Sequence, residues 1–464
     1  MPLVLAPAGG DEGTYSAAKA EAVTELFARL EEHVAWCGKS KLFAERDRAY
    51  RAMLALDPAC IDAHKGLGHR KGKSGDWEPH DKRKPPKNRN PRLLPEAAER
   101  WGGLVAPYRD RVLTLLDEHD VSHKARGAEH DALLALDPED ATIRALFGEA
   151  RLEDRWVLQE TLSGKKRRPE LNGLVRAARE RVPAPKRIEP DAHEAGLGVE
   201  WKAALSVPAA RVLTTGDEDE ALAAAQAVHV AGALFERVFG EPAKYPRDYR
   251  LLLLAAPQEK DALLDAHPDV DPRDRAFLGK VLGAGVPATG DFYHAADAPA
   301  KRRDGAVRML LGMFLLEAYG ISTKHGWAHE GFGLYLTRSI VGTRMNWFAM
   351  PSRYVSQQKD AAFRAKLYHS DTNWMNEAHL MLQREQRPTV KSLLGKDVNT
   401  LGTEELLLSY VTAAYLIEGR PEAVPDLLRR IGAGENPAAA IEAALGMNVL
   451  ALDERIRRWL SERR

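Results

Sequence analysis

The tetrapeptide Ala-Leu-Asp-Pro occurs twice, at Ala55 and at Ala135, and the chain after each copy keeps in step with it. Asp57-Pro58 matches Asp137-Pro138 and Gly68 matches Gly148 at an offset of 80, with Trp77 and Trp156 following at an offset of 79. Such a match ties the structure of one stretch to that of the other, so residues 1–160 are expected to contain a duplicated unit. The flanking pattern is helical: Val23, Leu26, Phe27, Leu30 and Val34 fall on one face of a helix. In each copy Asp-Pro is expected to end one helix and open the next, because proline lacks the N–H of a helix interior but fits a first turn.

Ala-Leu-Asp-Pro, a small or apolar stripe, a glycine and a tryptophan together resemble the tetratricopeptide (TPR) family, whose stacked helix pairs offer a groove to peptides. The offset is far from that family's period of about 34 residues, so the resemblance implies a TPR-like pair of hairpins and not an array. Two basic, proline-bearing stretches accompany the copies, "PHDKRKPPKNRNPR" and "GKKRRPELNGLVRAARERVPAPKRIEP". Without interleaved aromatics to stack bases, they read as a solvated loop and a basic linker over 161–204, with contact to an acidic partner as the alternative.

From Leu205 the pattern changes. "ARVLTTG" reads as a strand, "DEDEALAAAQAVHVAGALFERVFG" as a helix with acidic residues at its positive end, and "DYRLLLLAA" as a buried strand. "GDFYHAAD" is expected to be an edge strand, and "DGAVRMLLGMFLLEAYG" a buried helix. Mostly helical sequence follows; Leu407, Tyr410, Val411 and Ala414 make one stripe, and Val449, Leu452, Ile456 and Leu460 another. The expected fold is α+β and mostly helical: hairpins over 1–160, the linker, a core with a small sheet over 205–400, and a helical subdomain over 401–464.

The chemistry concentrates in "HGWAHEGFGLYLT", His325 to Thr337. Trp327-Ala-His-Glu-Gly-Phe-Gly-Leu-Tyr335, set behind an apolar helix, resembles the gluzincin metallopeptidases, in particular the peptidase-MA-like proteins. The resemblance implies a zincin-like domain with Glu330 as third zinc ligand. The family's other two ligands and its base come from His-Glu-x-x-His on the preceding helix, where residues four apart share a face and reach one ion. In this chain that register falls on Arg308-Met309-Leu310-Leu311-Gly312, and the helix contains no histidine. Without two ligands and the general base, the family's mechanism is lost. Arg308 is expected to place its guanidinium where the ion would be and to pair with Glu330, leaving Arg308, Met309, Gly312 and Glu330 as a vestigial site. The substrate cleft implied beside it would include His294 and Tyr335.

A rearranged zinc site from His325, His329 and Glu330 is the alternative, with His294 or His229 as a further ligand. His329 and Glu330 are adjacent, about 100° apart around a helix, which disfavours a shared ion. Trp347 and Trp374 sit in similar settings and read as core or cleft wall. Phosphate loops, nucleotide fingerprints and nucleophile elbows are missing from the sequence.

Composition limits what remains. With 67 basic and 67 acidic side chains the net charge is zero, which argues against capture by nucleic acid or membrane through the overall field. The apolar runs fall short of the roughly 20 residues that span a bilayer. Only Cys37 and Cys60 are present, enough for one disulfide at most and too few for a cysteine-ligated zinc site. The start "MPLVLAPAGGDEG" carries Ala6-Pro7-Ala8, a small-x-small pattern, but no basic or full apolar region, so a cytoplasmic place is favoured over an extracytoplasmic one. The expected function is binding of a protein or peptide through a metallopeptidase-like cleft without catalysis, with no cofactor. The alternatives are a zinc-dependent hydrolase and a structural or assembly protein.

Overall fold

The computed structural model describes residues 11–463 apart from 74, 80–85, 120, 288, 343–357 and 370. The fold is α+β and mostly helical, and it divides into two compact units, Met1–Ala150 and Arg151–Arg464. Ala6-Pro7-Ala8, Trp347 and the middle of the first basic stretch lie outside the described residues.

In the first unit the repeated sequence is a repeated structure. A long helix α1 (Asp11–Lys39), then α2 (Phe43–Leu56), α3 (Ile61–Leu67) and a ribbon β1 (Arg70–Lys71) and β2 (Trp77–Glu78) are followed by α4 (Leu94–Glu118), α5 (His123–Leu136), α6 (Ala141–Leu146) and strand β3 (Glu149–Leu152). The agreement extends to the backbone: Asp57 and Asp137 end their helices at φ/ψ of −135°/95° and −136°/94°. Gly68 and Gly148 turn left-handed at φ 75° and 68°, a conformation glycine adopts without strain. Even the polar tie is copied with a different side chain. His64 Nε2 donates to the Pro58 carbonyl at 2.9 Å, and Arg144 Nε donates to the Pro138 carbonyl at 2.8 Å.

The prolines do not open helices as expected. Each Asp-Pro lies in the turn, and the next helix begins only at Ile61 or Ala141. The aspartate side chain holds that turn by accepting the N–H two residues on, Ala59 at 2.9 Å and Glu139 at 3.3 Å. In the second copy the helix is opened by Asp140, which accepts from the Thr142 and Ile143 N–H groups; Cys60 at the matching place makes no such cap.

The second unit begins with β4 (Arg155–Leu158) and helix α7 (Gln159–Glu180). The linker expected over 161–204 is therefore corrected: its first half is α7, which buries Thr161, Gly164, Leu171 and Val175 on one face. That stripe has helical spacing but is hidden among Lys, Arg and the mid-helix Pro169. The second half supplies β5 (Lys186–Arg187), α8 (Ala192–Ala195) and the start of β6 (Ala203–Val207).

A six-stranded sheet follows, completed by β7 (Ala210–Thr214), β8 (Arg250–Leu254), β9 (Gly283–Gly285) and β10 (Asp291–Ala295), in the order β5-β6-β7-β8-β10-β9. β7, β8 and β10 run parallel, and β9 pairs antiparallel at the edge. Period-two alternation splits the side chains between two cores. Leu251 and Leu253 face α9 (Glu218–Phe239) and its neighbours, while Leu252 and Leu254 face α10 (Pro257–Ala266) and α11 (Pro272–Leu278).

"GDFYHAAD" is a strand but not the edge: β10 lies between β8 and β9. The true edge, Gly283-Ala284-Gly285, carries no strand signal because β10 supplies the side chains for both. Phe292 pairs with Gly285 and His294 with Gly283, and a Cβ on these glycines would meet the rings at 2.7 and 2.6 Å.

On the first face lie α12 (Pro299–Tyr319) and α13 (Gly326–Val341). After α14 (Gln358–Tyr368), α15 (Trp374–Leu382) and α16 (Val390–Leu393), helix α17 (Thr403–Gly419) packs along α13, followed by α18 (Val424–Gly432), α19 (Pro437–Leu445) and α20 (Val449–Glu462). Residues 401–464 thus share one hydrophobic core with α9, α12 and α13.

Candidate functional site

Arg308 is fully buried at the middle of α12, and a buried guanidinium must find an opposite charge. It finds Glu330 on α13: Nη2 lies 3.0 Å from Glu330 Oε1. The same nitrogen donates to the His329 carbonyl at 2.7 Å and lies 3.0 Å from His329 Nδ1. His329 Nδ1 also lies 3.4 Å from Glu330 Oε1, so the imidazole sits between the guanidinium and the carboxylate. Burial raises the Glu330 carboxyl, yet Arg308 and His329 hold it below its ordinary value. Burial and the neighbouring guanidinium depress the His329 imidazole, so the ion pair is Arg308 with Glu330.

Two glycines open the slot. A Cβ at Gly333 would lie 2.2 Å from the guanidinium carbon, and one at Gly312 would lie 2.8 Å from His329 Nε2. Three of the expected four residues meet here: Arg308 fills the space beside Glu330, and Gly312 clears space for the imidazole. Met309 points elsewhere, into the groove described below. A zinc ion does not fit these residues, since the guanidinium occupies the position beside Glu330.

The other expected residues separate. His325 stands at the start of α13, where its Nδ1 accepts the Ser322 N–H at 3.1 Å. Its ligand atoms do not converge with those of His329 and Glu330; among the described residues only His193, His267 and Asp291 form a group that could hold a metal. His229 lies on α9, outside any such group.

Tyr335 is not in a cleft. It is buried on the α17 side of α13 and donates to Glu418 Oε1 at 3.0 Å, because this helix is buried around most of its circumference. His294 is buried too, its ring against Gly305 where a Cβ would come within 1.9 Å; burial, with Arg302 nearby, pushes its imidazole down to about 4. Trp374 is core, its Nε1 donating to the Leu367 carbonyl at 3.1 Å. Cys37 and Cys60 are free thiols, and burial raises the Cys37 thiol to about 11, the opposite of what a nucleophile needs.

The open feature is a groove of about 490 Å³ beside the sheet edge. Gly283, Ala284 and Gly285 form one wall, Met309, Met313 and Leu316 of α12 the other, and His329 lies at its base. Sequence reasoning placed the groove's edge on the wrong strand because β9 has almost no side chains. It also missed the His193, His267 and Asp291 group, whose members are dispersed over almost a hundred residues without any ligand spacing. No protein-family model and no curated protein matches the chain.

Proposed function

We propose that this chain is a catalytically silent, metallopeptidase-like protein that binds an extended protein or peptide segment. The observation that carries the reading is the meeting of an apolar groove, an antiparallel edge strand and the buried Arg308–Glu330 pair, which the resemblance to gluzincins reads as standing in for the ion. An extended chain added to β9 would gain main-chain hydrogen bonds, and its alternate side chains would fall against Met309, Met313 and Leu316. Methionine walls adapt to many shapes, which favours a binder of modest sequence selectivity. The zincin-like assignment is supported by the order of parallel strands, the antiparallel edge and the two helices behind it. The duplicated helix pairs of the first unit support a TPR-like module that adds a second protein-binding surface.

The test is a screen of the full chain against fluorescent peptides of mixed apolar sequence, with and without added zinc. Binding that Met313→Glu abolishes, with every peptide recovered intact, is the expected result. Zinc-dependent cleavage lost in Glu330→Gln would replace this reading by a hydrolase. A fixed oligomer with the groove covered would replace it by an assembly role.

A further inference from the structure

On the opposite face of the sheet, three side chains from separate elements point at one spot. Asp291 opens β10, His267 ends α10, and His193 lies in the short α8. His193 Nε2 is 2.7 Å and His267 Nε2 is 2.9 Å from the same oxygen, Asp291 Oδ2, and all three atoms lie within 4.8 Å of one another. The other oxygen, Oδ1, faces Arg250 Nη1 at 3.3 Å. Asp291 and His267 are fully buried, whereas the His193 side chain is 27% exposed, so the spot has one side toward solvent.

We propose that His193, His267 and Asp291 bind a divalent transition-metal ion of the zinc class. Two imidazoles and a carboxylate are a ligand set such ions take, with the solvent side left for water. Nitrogen and oxygen ligands of one ion stand roughly 3–3.5 Å apart, so the hydrogen-bonded pairs need open by only about half an ångström. Charge supports the assignment. The connected network holds three carboxylates, Asp191, Glu194 and Asp291, against two guanidiniums, Arg211 and Arg250, which leaves one negative charge over. Arg250 takes Oδ1 and so orients Oδ2 toward the imidazoles, the usual part of an outer-shell partner.

Coordination has one internal requirement. The Asp269 N–H lies 3.2 Å from His267 Nδ1, and a backbone N–H can only donate, so without metal the neutral ring carries its proton on Nε2. Binding moves that proton to Nδ1 and releases the Asp269 N–H to solvent at an exposed turn. The tautomer of His267 therefore reports the metal directly.

The experiment titrates chelator-treated full-length protein with Co2+, reading the visible absorption and the imidazole 15N shifts. One ion per chain is expected, with His267 changing from the Nε2–H to the Nδ1–H form. His193→Gln keeps a donor toward Asp291 and lies at the surface, so it is expected to fold and to weaken Co2+ at least tenfold; Asp291→Asn is expected to abolish the bands. Arg308→Met/Glu330→Gln, which removes both buried charges together, is expected to bind Co2+ as the parent does, which keeps this site distinguishable from the Arg308 site. No stoichiometric Co2+, an unchanged His267 tautomer, or equal binding by His193→Gln would overturn the proposal and leave a hydrogen-bonded cluster.

Discussion

Two buried carboxylates in the second unit meet the same electrostatic need in opposite ways. Glu330 is matched by Arg308, a cation that is always charged, wholly buried and wedged between two glycines. Asp291 shares Arg250 at Oδ1, but its Oδ2 faces two imidazoles, which can change tautomer or protonation, one of them reachable from water. The first arrangement is closed because its counter-charge cannot leave. The second is fixed at Oδ1 and can change at Oδ2.

The largest test of this contrast removes the permanent cation. Arg308→Met leaves a buried unpaired carboxylate and is expected to cost about 3–5 kcal/mol at pH 7 in urea unfolding, much of it recovered in Arg308→Met/Glu330→Gln. The pH response should also invert. In the parent the Glu330 carboxyl is depressed, so its contribution is present above its unfolded value of 4.5 and fades as pH falls below it. In the variant burial alone raises the carboxyl, so acidification toward pH 5 should restore stability; a variant that loses stability on acidification as the parent does would break the contrast.

Next comes an imidazole without a carboxylate. His294, three residues beyond Asp291, is depressed from 6.5 to about 4 by burial. The unfolded chain takes up the proton first, so stability should fall on the order of 3 kcal/mol as pH drops from 6.5 to 4. His294→Gln should flatten that part of the pH profile.

Smaller effects probe the walls. Gly333→Ala gains about 1 kcal/mol of helix propensity. It also drives a methyl group into a guanidinium with nowhere to move, and a net loss of about 1–3 kcal/mol is expected from thermal unfolding. His193→Gln should change metal-free stability by only about 0.5–1 kcal/mol, since one donor to the Asp291 carboxylate is replaced by another. A loss as large as that of Arg308→Met would show that the Asp291 cluster is as closed as the other.

The legible parts of the chain were those written in local pattern. The duplicated unit could be read from Asp57, Gly68 and their partners, and α9, β8 and α12 from their apolar runs. Arg308 opposite Glu330 followed from aligning two helices by a motif whose histidines are missing. What escaped was non-local. Gly283-Ala284-Gly285 becomes a strand only because Phe292 and His294 lie across it, and α7 is held by a stripe that charge and proline disguise. Tyr335 turned inward because Glu418, 83 residues later, supplies its acceptor. His193, His267 and Asp291 share no spacing at all, and only the sheet brings them together.

Gly312 and Gly333 also bear on how this place could change. To install a metal beside Glu330, Arg308 must become a ligand, Gly312 must gain a side chain, and His329 must vacate the space that side chain would enter. Taken singly, the first step strands a charge and the second collides with a ring. Each route is therefore uphill until several substitutions coincide, so stepwise mutation meets a barrier here that neither half of the change can cross alone.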